Sequence, residues 1–282
     1  MRWTVLGSGS PEACARRASP GHLLEAGGER VLFDCGGGVF NRLLQAGLGP
    51  GDVGTVVFSH LHSDHMMDYA RLAHAAWDEG APPLKVFGPP PIAEITRRLF
   101  GPDGAFAFDL RARTGLPASQ EVWRARGGTL PRPWLAPEVT EISPGGGLQR
   151  QGWRLDSAEA PHAQPFLTCM GFAASDGISK IVYSGDSGIC RGMETLCEDA
   201  DLLVHWCYRL DGDDASPEMH ALTPTPSEIA AMAARAGVKR LTLTHFRVRM
   251  DSPELRADAL ARMAEVFDGP VEIAEDLSSY EV

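Results

Sequence analysis

Three shortages bound this sequence before any motif does. No apolar run approaches the roughly 20 residues of a membrane-crossing helix, so no membrane partner is expected. Cysteine is sparse and scattered: Cys14, Cys35, Cys169, Cys190, Cys197 and Cys207 form no C-x-x-C pair and no tight framework. In a chain of 282 residues that usage fits reduced packing thiols better than disulfide staples. Basic residues are in deficit, with 26 Lys and Arg against 37 Asp and Glu and a net charge of −11. That balance argues against a chain that coats nucleic acid or anionic membrane nonspecifically. The opening Met1-Arg2-Trp3-Thr4-Val5-Leu6-Gly7 lacks the apolar stretch of about 7–15 residues that a secretory signal needs. A cytoplasmic location is expected.

What is present reads as globular, with 44% hydrophobic and 22% charged residues, which sets disorder aside. Strand-like runs bounded by glycine appear at Trp3–Leu6, His22–Ala26, Val31–Phe33 and Thr55–Phe58. Helical stretches are predicted near Val39–Ala46, Met66–Trp77 and Pro91–Phe100. The second half repeats the mixture, with strands expected at Thr168–Ala173, Ile178–Tyr183, Leu202–His205, Arg240–Thr244 and Val271–Ile273. Between them Thr225-Pro226-Ser227-Glu228 has the N-cap, first-turn proline and capping-box glutamate of a helix start, and Gly237 supplies its stop. Alternation without an internal repeat predicts one α/β (α+β) domain over 1–282 with layered sheets.

Residues 97–135 differ. Rich in Gly, Pro, Ala and Arg and weakly periodic, they hold seven arginines against three acidic residues, a local balance of about +4. Such a segment reads as an inserted arm or lid. Its arginines with Trp123 and Trp134 suit an aromatic or anionic small molecule, or burial against a second copy, and a homodimer is the expected assembly.

The chemistry concentrates in Ser59-His60-Leu61-His62-Ser63-Asp64-His65, directly after a strand-like run. Three imidazoles and a carboxylate in six positions are the ligand types that suit zinc and its borderline neighbours. Core packing does not explain them, because each buried polar head needs its own partner. Alone, these four residues allow one mononuclear site. His162, Asp186 and His245 follow later, the last two each just after an apolar strand-like run. His22 and His74 fall inside regular elements and read as structural.

The pattern H-x-H-x-D-H at 60–65, then His162, Asp186 and His245, resembles the metallo-β-lactamase superfamily in order and separation. The glycine turns at Leu6–Pro11 and Leu32–Gly38, with Val86-Phe87-Gly88-Pro89 and the run from Asp201 to His245, are similar to its ribonuclease Z-like branch. The resemblance covers nearly the whole chain apart from 97–135. It implies a four-layer αβ/βα sandwich with the metals at one edge between the sheets. It further implies two Zn2+ (Mn2+ the second candidate), one on His60, His62 and His162, the other on Asp64, His65 and His245, with Asp186 bridging. A hydroxide shared by the two ions would be the nucleophile, oriented by Asp64, and His220 would act on the departing side. His62 stands where the di-iron oxidoreductase branch has glutamate, which favours hydrolysis over redox chemistry. This sequence departs from the branch at Trp206 and Ala221, so the carboxylate that orients the leaving-group histidine is missing.

The expected activity is hydrolysis of a phosphodiester or related small ester, on a small anionic substrate. A lactone, thioester, amide or β-lactam on the same centre is the alternative. A tRNA-processing nuclease or a non-catalytic binding protein is less favoured.

Overall fold

The computed structural model describes residues 1–282 and places fourteen strands in two seven-stranded sheets. The first contains β1 (Arg2–Gly7), β2 (Gly21–Ala26), β3 (Glu29–Phe33), β4 (Thr55–Val57), β5 (Lys85–Gly88), β6 (Glu138–Glu141) and, beside β1, the terminal β14 (Ser279–Glu281). The second runs in space from β7 (Gly147–Arg150) through β8 (Trp153–Glu159), β9 (Met170–Ser175), β10 (Lys180–Tyr183), β11 (Leu202–Trp206) and β12 (Leu241–Thr244) to β13 (Val271–Ile273). Each sheet is antiparallel on one side and parallel on the other. The parallel ladders are β3–β4–β5–β6 and β10–β11–β12–β13.

The central strands read as near-continuous apolar runs because both of their faces are covered, whereas β6, β7 and β8 toward one edge keep an exposed face. Successive side chains point to opposite faces, so neighbours in sequence enter different cores. Leu24 and Val57 pack between the sheets, whereas Leu23 and Val56 pack outward under helices. In β11 Leu202 and Val204 face the other sheet and Leu203 faces out. Helices α1 (Val39–Gln45), α2 (Tyr69–Asp78) and α3 (Ile92–Phe100) cover the first sheet through Leu43, Leu72 and Phe100. The 97–135 segment adds α4 (Ala107–Gly115) and α5 (Pro117–Ala125) to that side. The second sheet is covered by α6 (Arg191–Cys197), α8 (Pro226–Arg235) and α9 (Pro253–Ala264), while the short α7 (Pro217–Leu222) buries no side chain. Helix α8 starts as predicted: Thr225 accepts from the Glu228 N–H, and Glu228 accepts from the Thr225 N–H at 2.7 Å. The architecture is a helix–sheet–sheet–helix sandwich. No helix is long and apolar enough to cross a membrane.

The 97–135 segment is not the irregular arm its composition predicts, because it carries α4, α5 and an internally satisfied arginine–tryptophan core. The Arg132 guanidinium lies 3.5 Å from the Trp77 ring centroid and 4.7 Å from that of Trp123. Asp78 accepts from Arg132 at 2.8 Å, from Arg126 at 2.9 Å and from Arg113 at 3.3 Å. Arg97 and Arg98 both pair with Glu94. Much of the segment's basic charge is thus spent within the fold.

Candidate metal centre

Parallel strands end in loops at one edge, and in layered α/β folds that edge is where functional side chains gather. Here β4 releases Ser59–His65, β10 releases Ser184-Gly185-Asp186, and β12 releases His245. His162 comes from the loop between β8 and β9. The turns are tight enough to need special backbone. A side chain on Gly36 would put its Cβ 2.0 Å from the Asp64 carbonyl oxygen, so the 60–65 loop can pack there only against glycine. His245 and Asp34 are left-handed, with φ of 61° and 56°, the costly conformation that clusters at functional sites.

All seven sequence-predicted ligands converge. His62 Nδ1 lies 3.0 Å from His60 Nε2 and 3.2 Å from His162 Nε2. His245 Nε2 lies 3.3 Å from His65 Nε2 and 3.4 Å from Asp64 Oδ2. Asp186 touches both groups: Oδ2 is 3.3 Å from His245 Nε2 and 3.6 Å from His162 Nε2, and Oδ1 is 3.4 Å from His65 Nε2. Ligands at about 2.0–2.1 Å from a tetrahedral ion stand about 3.3 Å apart, so these spacings match a divalent cation. Asp186 Oδ1 is also buried with no hydrogen-bond partner, an orphan that an ion would satisfy. The residues fit a metal.

Protonation suits the same role. Burial holds the His60 and His162 imidazoles below their ordinary range, His60 well below, which keeps them neutral. Burial would raise the Asp186 carboxyl, but the His245 and His65 imidazoles outweigh it and hold it well below the usual carboxylate range. Asp64 behaves likewise, with His245 and His65 lowering it against burial. His65 goes the other way: burial would lower it, yet Asp186 and Asp34 raise it well above its ordinary value. The pocket therefore favours positive charge at that point.

Residues not singled out as functional in the sequence set the ligand geometry. The Asp34 carboxylate, fully buried, accepts four hydrogen bonds: the Ser59 N–H on Oδ1 at 2.8 Å, and on Oδ2 the Ser59 hydroxyl at 2.8 Å, His65 Nδ1–H at 2.9 Å and the Tyr183 hydroxyl at 2.8 Å. Because Ser59 gives its proton to Asp34, its oxygen accepts from His60 Nδ1 at 3.0 Å. With Nδ1 engaged in each ring, Nε2 is the atom that His60 and His65 turn toward the centre, and on His65 an ion would take the place of a proton there. The only sequence signal for Asp34 is a carboxylate sitting between a buried strand and a glycine turn.

A cavity of about 330 Å³ opens beside the ligands, lined by His62, Asp64, His162, Asp186 and His245 and by Trp206, Tyr208, Met219, Leu222, Thr223 and Pro11. His220 does not reach it. On α7 the cavity face is Met219 and Leu222, at the i, i+3 spacing of one helix face, with Thr223 just past the helix end, and His220 is turned about 100° from Met219. It is exposed, and its Nδ1 accepts from Arg209 Nη2 at 2.9 Å. No residue of 97–135 lines the cavity either, so that segment is not a lid over the centre. A larger hollow of about 690 Å³ lies between α2 and α4, without a ligand set.

The Beta-lactamase superfamily domain matches residues 29–246. Ribonuclease Z of Mycolicibacterium gilvum (strain PYR-GCK) is 33% identical over 288 residues, covering 99% of this chain and 95% of that protein. Among solved structures, the metallo-beta-lactamase fold protein YhfI from Bacillus subtilis superposes with a TM-score of 0.76 at 22% identity, covering 99% of each chain. The short form of human tRNase Z superposes with a TM-score of 0.70 at 21% identity, covering 100% of this chain and 99% of that one. Fold, ligand convergence and full-length similarity agree: this chain belongs to the metallo-β-lactamase superfamily, in its ribonuclease Z-like branch of hydrolases.

Proposed function

We propose that this protein is a zinc-dependent phosphodiesterase with two metal ions, manganese being the alternative metal, acting on a small anionic diester. The observation that carries this reading is Asp186, whose two oxygens face His65 on one side and His162 and His245 on the other. A carboxylate placed between His60–His62–His162 and Asp64–His65–His245 is the arrangement of a shared ligand. A bound pair of divalent ions supplies Lewis acidity toward a phosphoryl oxygen and lowers the pKa of water to about 7.

The chain's own residues do the rest. His60 and His65 are held in one tautomer by Ser59 and Asp34, so their Nε2 atoms stay aimed at the centre. Asp64 lines the cavity as a carboxylate and is placed to orient the attacking water and take its proton. With His220 outside, the hydroxyls on the far wall are those of Tyr208 and Thr223, and Thr223 already donates to the Met219 carbonyl at 2.6 Å. A diester whose leaving oxygen needs little protonation suits such a site.

The test is turnover of bis(p-nitrophenyl) phosphate by zinc- and manganese-loaded protein, beside lactone and nitrocefin panels, with metal counted per chain. Two bound ions and diester hydrolysis are expected. Absence of diester turnover with either metal refutes the reading. A second reading, RNA cleavage, is favoured by the relatives named ribonuclease Z and tRNase Z. Specific cleavage of a tRNA precursor would establish it.

A further inference from the structure

The wall opposite the ligands is apolar and aromatic. Trp206 is buried and locked, its indole N–H donating to the Ser187 carbonyl at 2.6 Å. Its ring stands edge-on to both His162 and His245, with centroids 5.1 and 5.5 Å away, and stacks toward Tyr208 at 6.1 Å. Met219 and Leu222 complete that side. One rigid aromatic residue thus touches a ligand of each group; only 2% exposed, it backs a wall whose accessible carbon comes from Tyr208, Met219 and Leu222.

The wall also lacks cations. None of the 11 lining residues is Lys or Arg. The neighbouring guanidiniums are paired: Arg247 lies over the Tyr208 ring, 5.3 Å from its centroid, and donates to Glu12 at 2.7 Å, Arg249 donates to Asp213 at 2.9 Å, and Arg209 to the Thr223 carbonyl at 3.0 Å and to His220. A second phosphate on the substrate would lose its hydration against this wall and would have to compete with Glu12 for Arg247 to gain a counter-charge. The cavity volume, about 330 Å³, sits at the small end of the roughly 300–1,000 Å³ range of small-molecule sites.

Resting on the phosphodiesterase reading, we infer that the substrate is a singly charged phosphodiester carrying an aromatic group, which docks on Tyr208, Met219 and Leu222, with Trp206 behind them. The phosphoryl group faces the ligands and the ring faces the wall. Water adds to phosphorus, the bond to the leaving oxygen breaks, and that oxygen departs with the electron pair as an aryloxide or takes a proton from solvent. The products are a phosphomonoester and an alcohol or phenol.

The experiment compares phenyl p-nitrophenyl phosphate with methyl p-nitrophenyl phosphate on the metal-loaded protein, so that the leaving group is constant. The phenyl ester is expected to have a kcat/KM about tenfold higher, and Met219→Ala and Leu222→Ala each lower that ratio roughly threefold. Binding of diphenyl phosphate against dimethyl phosphate, read by calorimetry, makes the same comparison without turnover and is expected to favour the diphenyl ester. Equal affinity for diphenyl and dimethyl phosphate, or a preference for the diphenyl ester untouched by both variants, overturns the aromatic site while leaving the phosphodiesterase reading standing. No turnover of either ester overturns that reading itself. Faster cleavage of a single-stranded oligoribonucleotide than of the phenyl ester overturns the single-charge claim.

Discussion

Asp34 never faces the cavity, yet its replacement by asparagine should weaken the centre. The substitution conserves shape and removes one charge and one acceptor. In the better of the two amide orientations, the amide oxygen keeps the Ser59 hydroxyl, His65 and Tyr183, and the NH2 group is left facing the Ser59 N–H, where a 2.8 Å hydrogen bond stood. Two donors facing each other in a buried site cost about 1–3 kcal/mol of stability. In the other orientation three donors lose their acceptor, which is worse. Loss of the carboxylate also makes His65 Nε2 a poorer base, and losing such an outer partner typically costs about 10–100-fold in metal affinity or activity. That corresponds to about 1.4–2.7 kcal/mol. The assay is competition for zinc against a chromogenic chelator, with diester turnover measured in parallel. Tyr183→Phe removes one of the four donors and keeps the carboxylate, so it should move metal affinity by only a few-fold. Wild-type zinc affinity in Asp34→Asn, within twofold, would refute the reasoning.

Other perturbations separate the remaining claims. Burial pushes His22 to about 3 from an ordinary 6.5, so the unfolded chain binds the extra proton and stability falls as pH drops below about 6.5, levelling near 3. Between pH 7.5 and 5.0 this one group removes about 2 kcal/mol, and urea titrations of His22→Phe should show that much less loss, with the slope from His205, pushed to about 4, remaining. His220→Ala removes the acceptor for Arg209 and should raise KM severalfold through a looser α7 while kcat stays within about threefold; a kcat loss of 100-fold or more would return His220 to the chemistry. Asp78→Asn unties three arginines at a partly exposed site, for a loss of roughly 1–2 kcal/mol after solvent screening, and should speed proteolysis within 97–135 without changing diester turnover.

The 60–65 cluster, Asp186 and His245 are legible because each is of a metal-binding type at the end of an apolar run, and parallel strands bring such ends together, whereas His162 joins them from the loop between the antiparallel β8 and β9. The cores were legible for a similar reason, since Leu23 and Leu24, or Leu202 and Leu203, must face different layers once both sheet faces are covered. Strand β8 was overlooked although its residues alternate buried and exposed from Trp153 to Ser157. Helices α4 and α5 were hidden because they bury only Ala107 and Leu110, and Trp123, respectively, and are held by contacts distant in sequence such as Asp78 with Arg126 and Arg132. Asp34, Ser59 and Tyr183 act through one another, and no local pattern announces a network spread over 150 residues of chain.

His220 shows the limit most sharply, because its role turned on which face of a six-residue helix it occupies. One position along α7 rotates a side chain about 100°, so a motif match there cannot say whether the ring meets substrate or solvent. The answer lies with Trp206, which stands where the ribonuclease Z-like pattern has an orienting carboxylate. A histidine near the centre without that carboxylate would lose its tautomer and its aim. Here the histidine is turned outward to Arg209, and the vacated wall is filled by an indole and by Met219 and Leu222. The two changes point the same way. A site whose departing side offers a tyrosine hydroxyl but no histidine or carboxylic acid favours a leaving group that is stable as an anion, and a wall of aromatic and aliphatic carbon favours an apolar ring. An aryl ester meets both conditions, whereas the ribose 3′-oxygen that departs when an RNA strand is cut is a poor anion and fails the first.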